Sequence, residues 1–269
     1  MRPFQILPST TSHKHEALLP TLEVFARLGM HDLDLNLNHF IERGMSVDEV
    51  RPVLAAHHQR VRIVSGGWCD FFDPEPRIQE TYASVGRQID MARALAVTTL
   101  RLFFGRLPYE QYSASAHAMI VSNIQRLARR YPDVQFVFEN HDGASSHPPV
   151  CRRILESVGL PNVRLTFDPI NFEHRGMNSL EAVGQLLPLI GHVHLKGYEQ
   201  GRFCEFGAGE VDLMPVLETL ISGGYRGAFT VEYEGAFDRT LRLYQSVRRA
   251  QTVLQGLTVR SIEASGLRD

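Results

Sequence analysis

The chain has 269 residues, of which 43% are hydrophobic and 22% charged, and this composition is typical of one folded domain with a large core. A net charge of -2 argues against a nucleic-acid-binding protein, and no apolar stretch approaches the length of a membrane span. Three widely spaced cysteines and an N-terminal stretch too weakly apolar for a signal peptide indicate a cytoplasmic protein without a disulfide framework.

Short apolar or alternating segments recur along the chain, and a longer amphipathic segment follows each of them. The strands are predicted at residues 2–8, 31–37, 60–65, 98–104, 134–139, 163–168, 189–195 and 228–233. The helices are predicted at residues 15–28, 46–57, 76–94, 115–130, 148–157, 179–186, 212–222 and 238–255. Capping signals support several of these boundaries, among them the capping box formed by Ser46 and Glu49.

Eight strand–helix units in about 250 residues predict an α/β fold, namely a single (β/α)₈ TIM barrel. We expect this one domain to span residues 1–269, with a disordered tail from about 257 to 269. A doubly wound open sheet is the main alternative, but it usually carries a glycine-rich turn after its first strand, where this chain reads LPSTTSHKH. An antiparallel sandwich is disfavoured because helix-length segments separate nearly all the strands.

Most of the predicted strands alternate between apolar and polar residues. In the segment HDLDLNLN, leucines 33, 35 and 37 share one face, and the acids and amides share the other. The segments 135–139, 164–168 and 229–234 alternate in the same way. Since the apolar face must meet the surrounding helices, the polar face is predicted to point into the barrel. Burying charge without a partner is costly, so acids and bases from different strands should meet there, or meet a metal ion.

Four polar residues of consecutive strands fall at the carboxyl ends of those strands, where barrel active sites form. They are Glu139, Asp168, His194 and Glu232. Three carboxylates and one imidazole form an oxygen-rich set, which favours Mn²⁺, Mg²⁺ or Co²⁺, although Zn²⁺ is compatible with it. The sequence therefore predicts one divalent metal ion, with Mn²⁺ favoured, at the mouth of the barrel.

The motifs FENH, FDPIN, GHVHLKG, GAGEVD and FTVEYEG occur in this order between residues 137 and 235. Together they resemble the xylose-isomerase-like barrel superfamily of sugar and sugar-phosphate isomerases and epimerases, which includes hydroxypyruvate isomerases and inosose dehydratases. The resemblance implies that Glu139, Asp168, His194 and Glu232 are the four metal ligands. Two positions depart from the family pattern: Asn171 stands where epimerases often carry a substrate-binding histidine, and Gly197 stands where an acid often follows the lysine.

The chemistry expected at such a site is proton transfer at a carbon beside a carbonyl group. We expect a metal-dependent isomerase or epimerase that acts on a small sugar or keto acid through a metal-stabilised enediolate. Glu139 and Glu232 are the predicted catalytic acid/base pair, because one can remove the proton and the other can return it.

Five further residues are predicted to contact the substrate. Lys196 could neutralise an enolate or bind a carboxylate or phosphate, with a salt bridge to an inward-facing acid as the equal alternative. Trp68 could wall off a sugar face or serve a dimer contact. The remaining candidates are His141, Asn171 and, on the loop after the seventh strand, Arg202.

Three other functions are compatible with parts of this pattern. A metal-dependent lyase, acting on a keto-inositol, dehydroshikimate or a 3-keto-glycoside, would use the same ligands. An apurinic-site endonuclease is disfavoured because its extra histidines are absent from the ends of strands three and four, which read VSGG and FFGR. A non-enzymatic sugar-binding protein would not need four intact ligand positions. A homodimer or homotetramer is compatible with the sequence, which leaves the oligomeric state open.

Overall fold

The computed structural model describes the backbone of residues 4–264 and the side chains of residues 4–260. In that range the strands are β1 Ile6–Pro8, β2 Asp32–Asn36, β3 Arg60–Ser65, β4 Thr99–Phe103, β5 Gln135–Glu139, β6 Val163–Phe167, β7 Ile190–Leu195, β8 Gly197–Glu199, β9 Arg202–Cys204 and β10 Phe229–Val231. The helices are α1 Leu18–Arg27, α2 Asn38–Ile41, α3 Val47–Ala56, α4 Ile78–Ala94, α5 Ala114–Arg130, α6 Pro148–Val158, α7 Pro169–His174, α8 Ser179–Leu186, α9 Met214–Ser222 and α10 Arg239–Ala264.

Eight of the strands form one parallel sheet that curls into a barrel. Their order is β1-β10-β7-β6-β5-β4-β3-β2, so strands that are neighbours in the chain are also neighbours in the sheet, except where the β8–β9 hairpin intervenes. A parallel bridge between Ser9 and Asp34 joins the two edges of the sheet, just beyond β1 and within β2. The predicted (β/α)₈ barrel is confirmed, and the open sheet and the sandwich are ruled out.

The two faces of the strands are used as the alternation predicts. The apolar face packs outward against the helices in one large core, to which Leu33, Phe136 and Phe229 belong. Inside the barrel, Leu7, Ile63 and Val137 form a small separate apolar cluster. Val137 lies two residues before Glu139 on β5, so this cluster is the floor beneath the polar side chains at the mouth.

The hairpin β8–β9 replaces the plain loop expected after β7. Its turn residues Gln200 and Gly201 have φ angles of 48° and 80°, which are the left-handed values that a two-residue hairpin turn requires. Two short helices, α2 and α7, were also not predicted, because neither is long enough to show helical periodicity.

Most of the other boundaries agree with the sequence to within a few residues. The capping box is confirmed. The backbone amide of Glu49 donates a hydrogen bond to the Ser46 hydroxyl, and the backbone amide of Ser46 donates one to the Glu49 carboxylate. Helix α10 continues through residues 257–264 of the segment for which disorder was expected, and residues 265–269 lie outside the described residues. None of the described helices is both long and apolar enough to span a membrane.

Candidate metal centre

The four predicted ligands lie at one end of the barrel interior. Glu139 ends β5, Asp168 directly follows β6, His194 lies near the end of β7 and Glu232 directly follows β10. Each of these residues is at most 3% exposed. Their positions follow from the strand periodicity, because each lies on the inward face of its strand.

The imidazole of His194 lies close to carboxylate oxygens of the other predicted ligands. Its Nδ1 atom lies 3.6 Å from Glu139 Oε1 and 3.6 Å from Glu232 Oε2, so the two carboxylates approach one nitrogen. Ligand atoms of Glu139, Asp168 and His194 all lie within 4.8 Å of one another. Glu232 falls in a second group of this kind, with His194 and Asp34. The structure therefore brings the predicted set together as two adjoining groups that share the imidazole.

The donor atoms are those that a divalent cation requires. Neither ring nitrogen of His194 has a hydrogen-bond partner among the described residues, whereas Asp168 Oδ2 contacts Lys196 Nζ at 3.0 Å in an ion pair that is not aligned as a hydrogen bond. Asp168 Oδ1 accepts a hydrogen bond from the Asn171 amide at the start of α7, which fixes the carboxylate and leaves Oδ2 directed at the site. Unpaired polar atoms of this kind are costly when buried, and a bound cation would satisfy them. The residues present fit a divalent metal ion.

The two glutamates have opposite electrostatic environments. Burial by itself raises the pKa of Glu139, but the charges of Arg101 and His194 outweigh burial and hold this pKa well below its usual value. Burial raises the pKa of Glu232, and His194 and Lys196 offset this only in part. Two carboxyl groups whose pKa values are pushed apart are suited to different proton-transfer roles.

His194 carries a proton in this arrangement. Burial by itself lowers its pKa, but the carboxylates of Glu232 and Glu139 outweigh burial and raise the pKa to about 9. An imidazole must give up its ring proton at the nitrogen that ligates a metal, so a cation here would take the place of that proton. Either positive charge, that of the imidazolium or that of the cation, would compensate the negative charge of the buried carboxylates.

Lys196 forms ion pairs within the site. Its Nζ atom lies 3.0 Å from Asp168 Oδ2, 2.9 Å from Glu234 Oε1 and 3.9 Å from Glu232 Oε2. Burial alone would lower the pKa of this lysine, but Asp168 and Glu234 outweigh burial and hold the pKa well above its usual value. Of the two interpretations of Lys196, the structure shows the salt bridge, and a contact with substrate stays a prediction.

The side chain of Asn171 contacts Glu139, one of the predicted metal-ligating residues, and does not face the pocket. Its side-chain amide donates to Glu139 Oε1 at 3.0 Å and to the carbonyl oxygen of Asn140 at 3.0 Å. Asn140 in turn is bonded in both directions to the backbone of Asp168. These amides hold Glu139 and Asp168 in a fixed relative position, as is usual for residues that surround a metal site.

Two of the predicted substrate contacts, Lys196 and His141, line the pocket above the ligands, which has a volume of about 120 Å³. His141 lines this pocket, and its Nδ1 atom lies 3.0 Å from Asp142 Oδ2. Burial lowers the pKa of His141, but the contact with Asp142 and the charge of Glu139 outweigh burial and raise it. Trp68 does not line the pocket: its ring stacks on Phe103 with centroids 4.9 Å apart and lies edge-on to His141 at 6.5 Å.

Arg202 does not line that pocket. It lies on strand β9, exposed, at the edge of a larger cavity of about 840 Å³. The two cavities are adjacent, since Glu234 lines both. The structure thus places Lys196, Asn171 and His141 beside the ligand cluster, and it sets Trp68 behind Phe103 and Arg202 in the neighbouring cavity.

Three charged residues of the site were not predicted as functional. Asp34 on β2 is fully buried, and Ser65 donates to its carboxylate at 2.8 Å. Arg101 on β4 approaches Glu139, and Glu234 pairs with Lys196. The alternation of the strands places Asp34 and Arg101 on the inward face, so the signal was present for both of them.

The xylose isomerase-like TIM barrel family matches residues 25–252 of the chain. The chain belongs to this family. The human protein named "Putative hydroxypyruvate isomerase" is 24% identical over 163 residues, which are 53% of this chain and 56% of the human protein. The similarity to this relative therefore spans about half of each chain.

Solved structures of similar fold cover nearly the whole chain. A xylose isomerase-like TIM barrel protein from Mycobacterium smegmatis in complex with magnesium has a TM-score of 0.78 and 18% identity, and the match covers 96% of this chain and 99% of that one. A probable 3-DHS dehydratase involved in petrobactin synthesis from Bacillus anthracis has a TM-score of 0.77 and 15% identity, with coverages of 93% and 98%. At these identities the similarity shows the shared fold.

Proposed function

We propose that the protein is a divalent-metal-dependent isomerase or epimerase that moves a proton at a carbon beside a carbonyl group of a small sugar or keto acid. One observation carries the proposal: the carboxylates of Glu139 and Glu232 both lie 3.6 Å from Nδ1 of His194, inside the mouth of the barrel. Two buried carboxylates beside one imidazole donor supply the two groups that proton removal and return require.

Glu139, Asp168, His194 and Glu232 would hold the metal ion. When bound, such an ion polarises a carbonyl group and stabilises the negative charge that develops on its oxygen. Lys196 holds Asp168 in place through its 3.0 Å ion pair, and Asn171 holds Glu139 in place through its side-chain amide. Both contacts hold the site in one geometry before a substrate arrives.

The two glutamates divide the proton transfer. Glu139 is ionised and accepts the proton from the carbon, and Glu232, whose carboxyl group is the more readily protonated, returns one. Return to the opposite face of the same carbon inverts that carbon, and return to the neighbouring carbon exchanges an aldose for a ketose. In either case the substrate and the product have the same mass.

A dehydratase is the second candidate. The structural similarity to the probable 3-DHS dehydratase of Bacillus anthracis favours it, since that protein shares the barrel over 93% of this chain. The same proton removal, followed by loss of a hydroxyl group from the adjacent carbon, gives an unsaturated product and water.

Hydrogen–deuterium exchange tests the proposal. Purified protein loaded with Mn²⁺ or Mg²⁺ is incubated in D₂O with a panel of ketoses, keto acids and keto-inositols, and the products are analysed by NMR and mass spectrometry. We expect deuterium at the carbon next to the carbonyl group with no change in composition. Loss of water from the product would instead establish the dehydratase, and no exchange with any compound would refute both.

A further inference from the structure

Arg101 is a buried cation at the ligand cluster, and the proton transfer proposed above gives it no contact with the substrate. It lies on β4, in register with Val137 of the neighbouring strand, and is 3% exposed. Its guanidinium carbon lies over the Phe103 ring, 4.3 Å from the ring centroid. Arg101 is also one of the side chains that line the pocket above the ligands.

The donors of Arg101 are largely unused. Its Nε atom lies 3.3 Å from Glu139 Oε2, but the pair is not aligned as a hydrogen bond. Neither Nε nor Nη1 has a hydrogen-bond partner among the described residues. A guanidinium group has five N–H donors in a planar fork, and burying them without acceptors is expensive.

The other cations that line the pocket already have carboxylate partners. Lys196 pairs with Asp168 and Glu234, and Lys14 lies 3.5 Å from Glu234. Among the described residues, Arg101 forms an ion pair with Glu139, which is also a proposed ligand of the metal ion. Lys196 donates a hydrogen bond to Glu234, whereas Nε and Nη1 of Arg101 donate none among the described residues, so Arg101 is the cation of this pocket whose donors lack acceptors.

We propose that Arg101 binds a carboxylate group of the substrate, and that the substrates of this enzyme are hydroxy keto acids rather than neutral sugars. This inference rests on the proposed function and names its substrate class. The flat guanidinium fork matches the two oxygens of a carboxylate, and the pair is strong because both groups are charged. A doubly charged phosphate would meet stronger repulsion from Glu232 and Glu234, which line the same small pocket.

Equilibrium binding tests the inference without relying on turnover. Hydroxypyruvate and dihydroxyacetone share a hydroxy ketone group, and only the first carries a carboxylate; dihydroxyacetone phosphate carries a phosphate instead. Each is titrated calorimetrically into Mg²⁺-loaded wild type, Arg101→Gln and Arg101→Lys. Arg93→Gln is the matched control, since Arg93 pairs with Asp133 on the surface, away from the barrel mouth. The metal content and thermal unfolding of every variant are measured first, because Arg101 contacts Glu139.

We expect wild type to bind hydroxypyruvate most tightly, and Arg101→Gln to weaken that binding by about 10- to 100-fold while dihydroxyacetone binding stays the same. Arg101→Lys should recover part of the affinity, because lysine keeps the charge but not the fork. The inference would be overturned if Arg101→Gln weakened the binding of hydroxypyruvate and of dihydroxyacetone equally, or left the binding of hydroxypyruvate unchanged. It would also be overturned if wild type bound dihydroxyacetone phosphate most tightly. Deuterium exchange into neutral ketoses alone would overturn it too, while leaving the proposed function in place.

Discussion

The Nζ atom of Lys196 lies 3.0 Å from Oδ2 of Asp168, and both side chains are almost completely buried. An ion pair of this kind repays the cost of desolvation only if its geometry is good and its remaining polar atoms are satisfied. Here the lysine also contacts Glu234, and the aspartate also accepts a hydrogen bond at the start of α7. The pair therefore stabilises the mouth of the barrel as well as the proposed ligand set.

Replacement of Lys196 by methionine should destabilise the protein strongly. The change leaves Asp168 buried without its cation, and such a loss costs about 3–5 kcal/mol. Chemical denaturation measures the free energy of unfolding. Lys14→Met is the control, because Lys14 is 42% exposed and its pair with Glu234 should contribute no more than about 1 kcal/mol. Equal effects of the two variants would show that Lys196 does not have this structural role.

Glu139→Gln and Glu232→Gln should each lower the rate of deuterium exchange by a factor of about 10²–10⁴, because each removes one partner of the proton transfer. Glutamine has nearly the same shape, so circular dichroism should show folded proteins. Glu156→Gln, on the exposed surface of α6, should exchange at the wild-type rate. A variant of Glu139 or Glu232 that keeps a rate near that of wild type would remove that residue from the acid/base pair.

His194→Ala should bind less metal. The imidazole is the point at which the carboxylates meet, and its removal deletes the only nitrogen donor of the proposed set. Metal analysis of dialysed protein measures the occupancy. His192→Gln is the matched control, since His192 lies two residues earlier on the same strand and hydrogen-bonds Thr230. Unchanged metal content in His194→Ala would exclude this residue as a ligand.

Asp142 should stabilise the fold in a pH-dependent way. Its contact with His141, helped by Arg175 and opposed by burial, lowers its pKa to about 2. A carboxyl group with a depressed pKa in the folded state stabilises the protein above its unfolded pKa of about 3.9, and this contribution is lost as the pH falls toward 2. Thermal unfolding of wild type and Asp142→Asn should therefore differ most near neutral pH and converge between about pH 4 and 2. Asp48→Asn, an exposed position on α3, is the control. A difference that stays constant with pH would contradict the expected linkage.

The alternation of apolar and polar residues along the strands was sufficient to predict the layers of the barrel and most of the residues at its mouth. Alternation of leucines with acids and amides in β2 predicted both the outer apolar layer and the polar interior, and the structure confirms both. The same reasoning placed Glu139 and Asp168 at neighbouring strand ends, because parallel strands bring their carboxyl ends to one edge of a barrel.

Other features depend on distances that a pattern does not contain. Asp34 and Glu232 are far apart in the sequence, and the closure of the barrel brings both side chains close to His194. Alternation placed Arg101 inside the barrel but could not show that its donors lack acceptors. The hairpin that carries Arg202 was also beyond reach, since its strands have only three residues each.

The position of the metal ion tests the central claim most directly. Anomalous X-ray diffraction from crystals soaked in Mn²⁺ locates the ion independently of any activity. We predict a single ion between Glu139, Asp168, His194 and Glu232. An ion held by Asp34, His194 and Glu232 without Glu139 and Asp168, or no ion within the barrel mouth, would contradict the account.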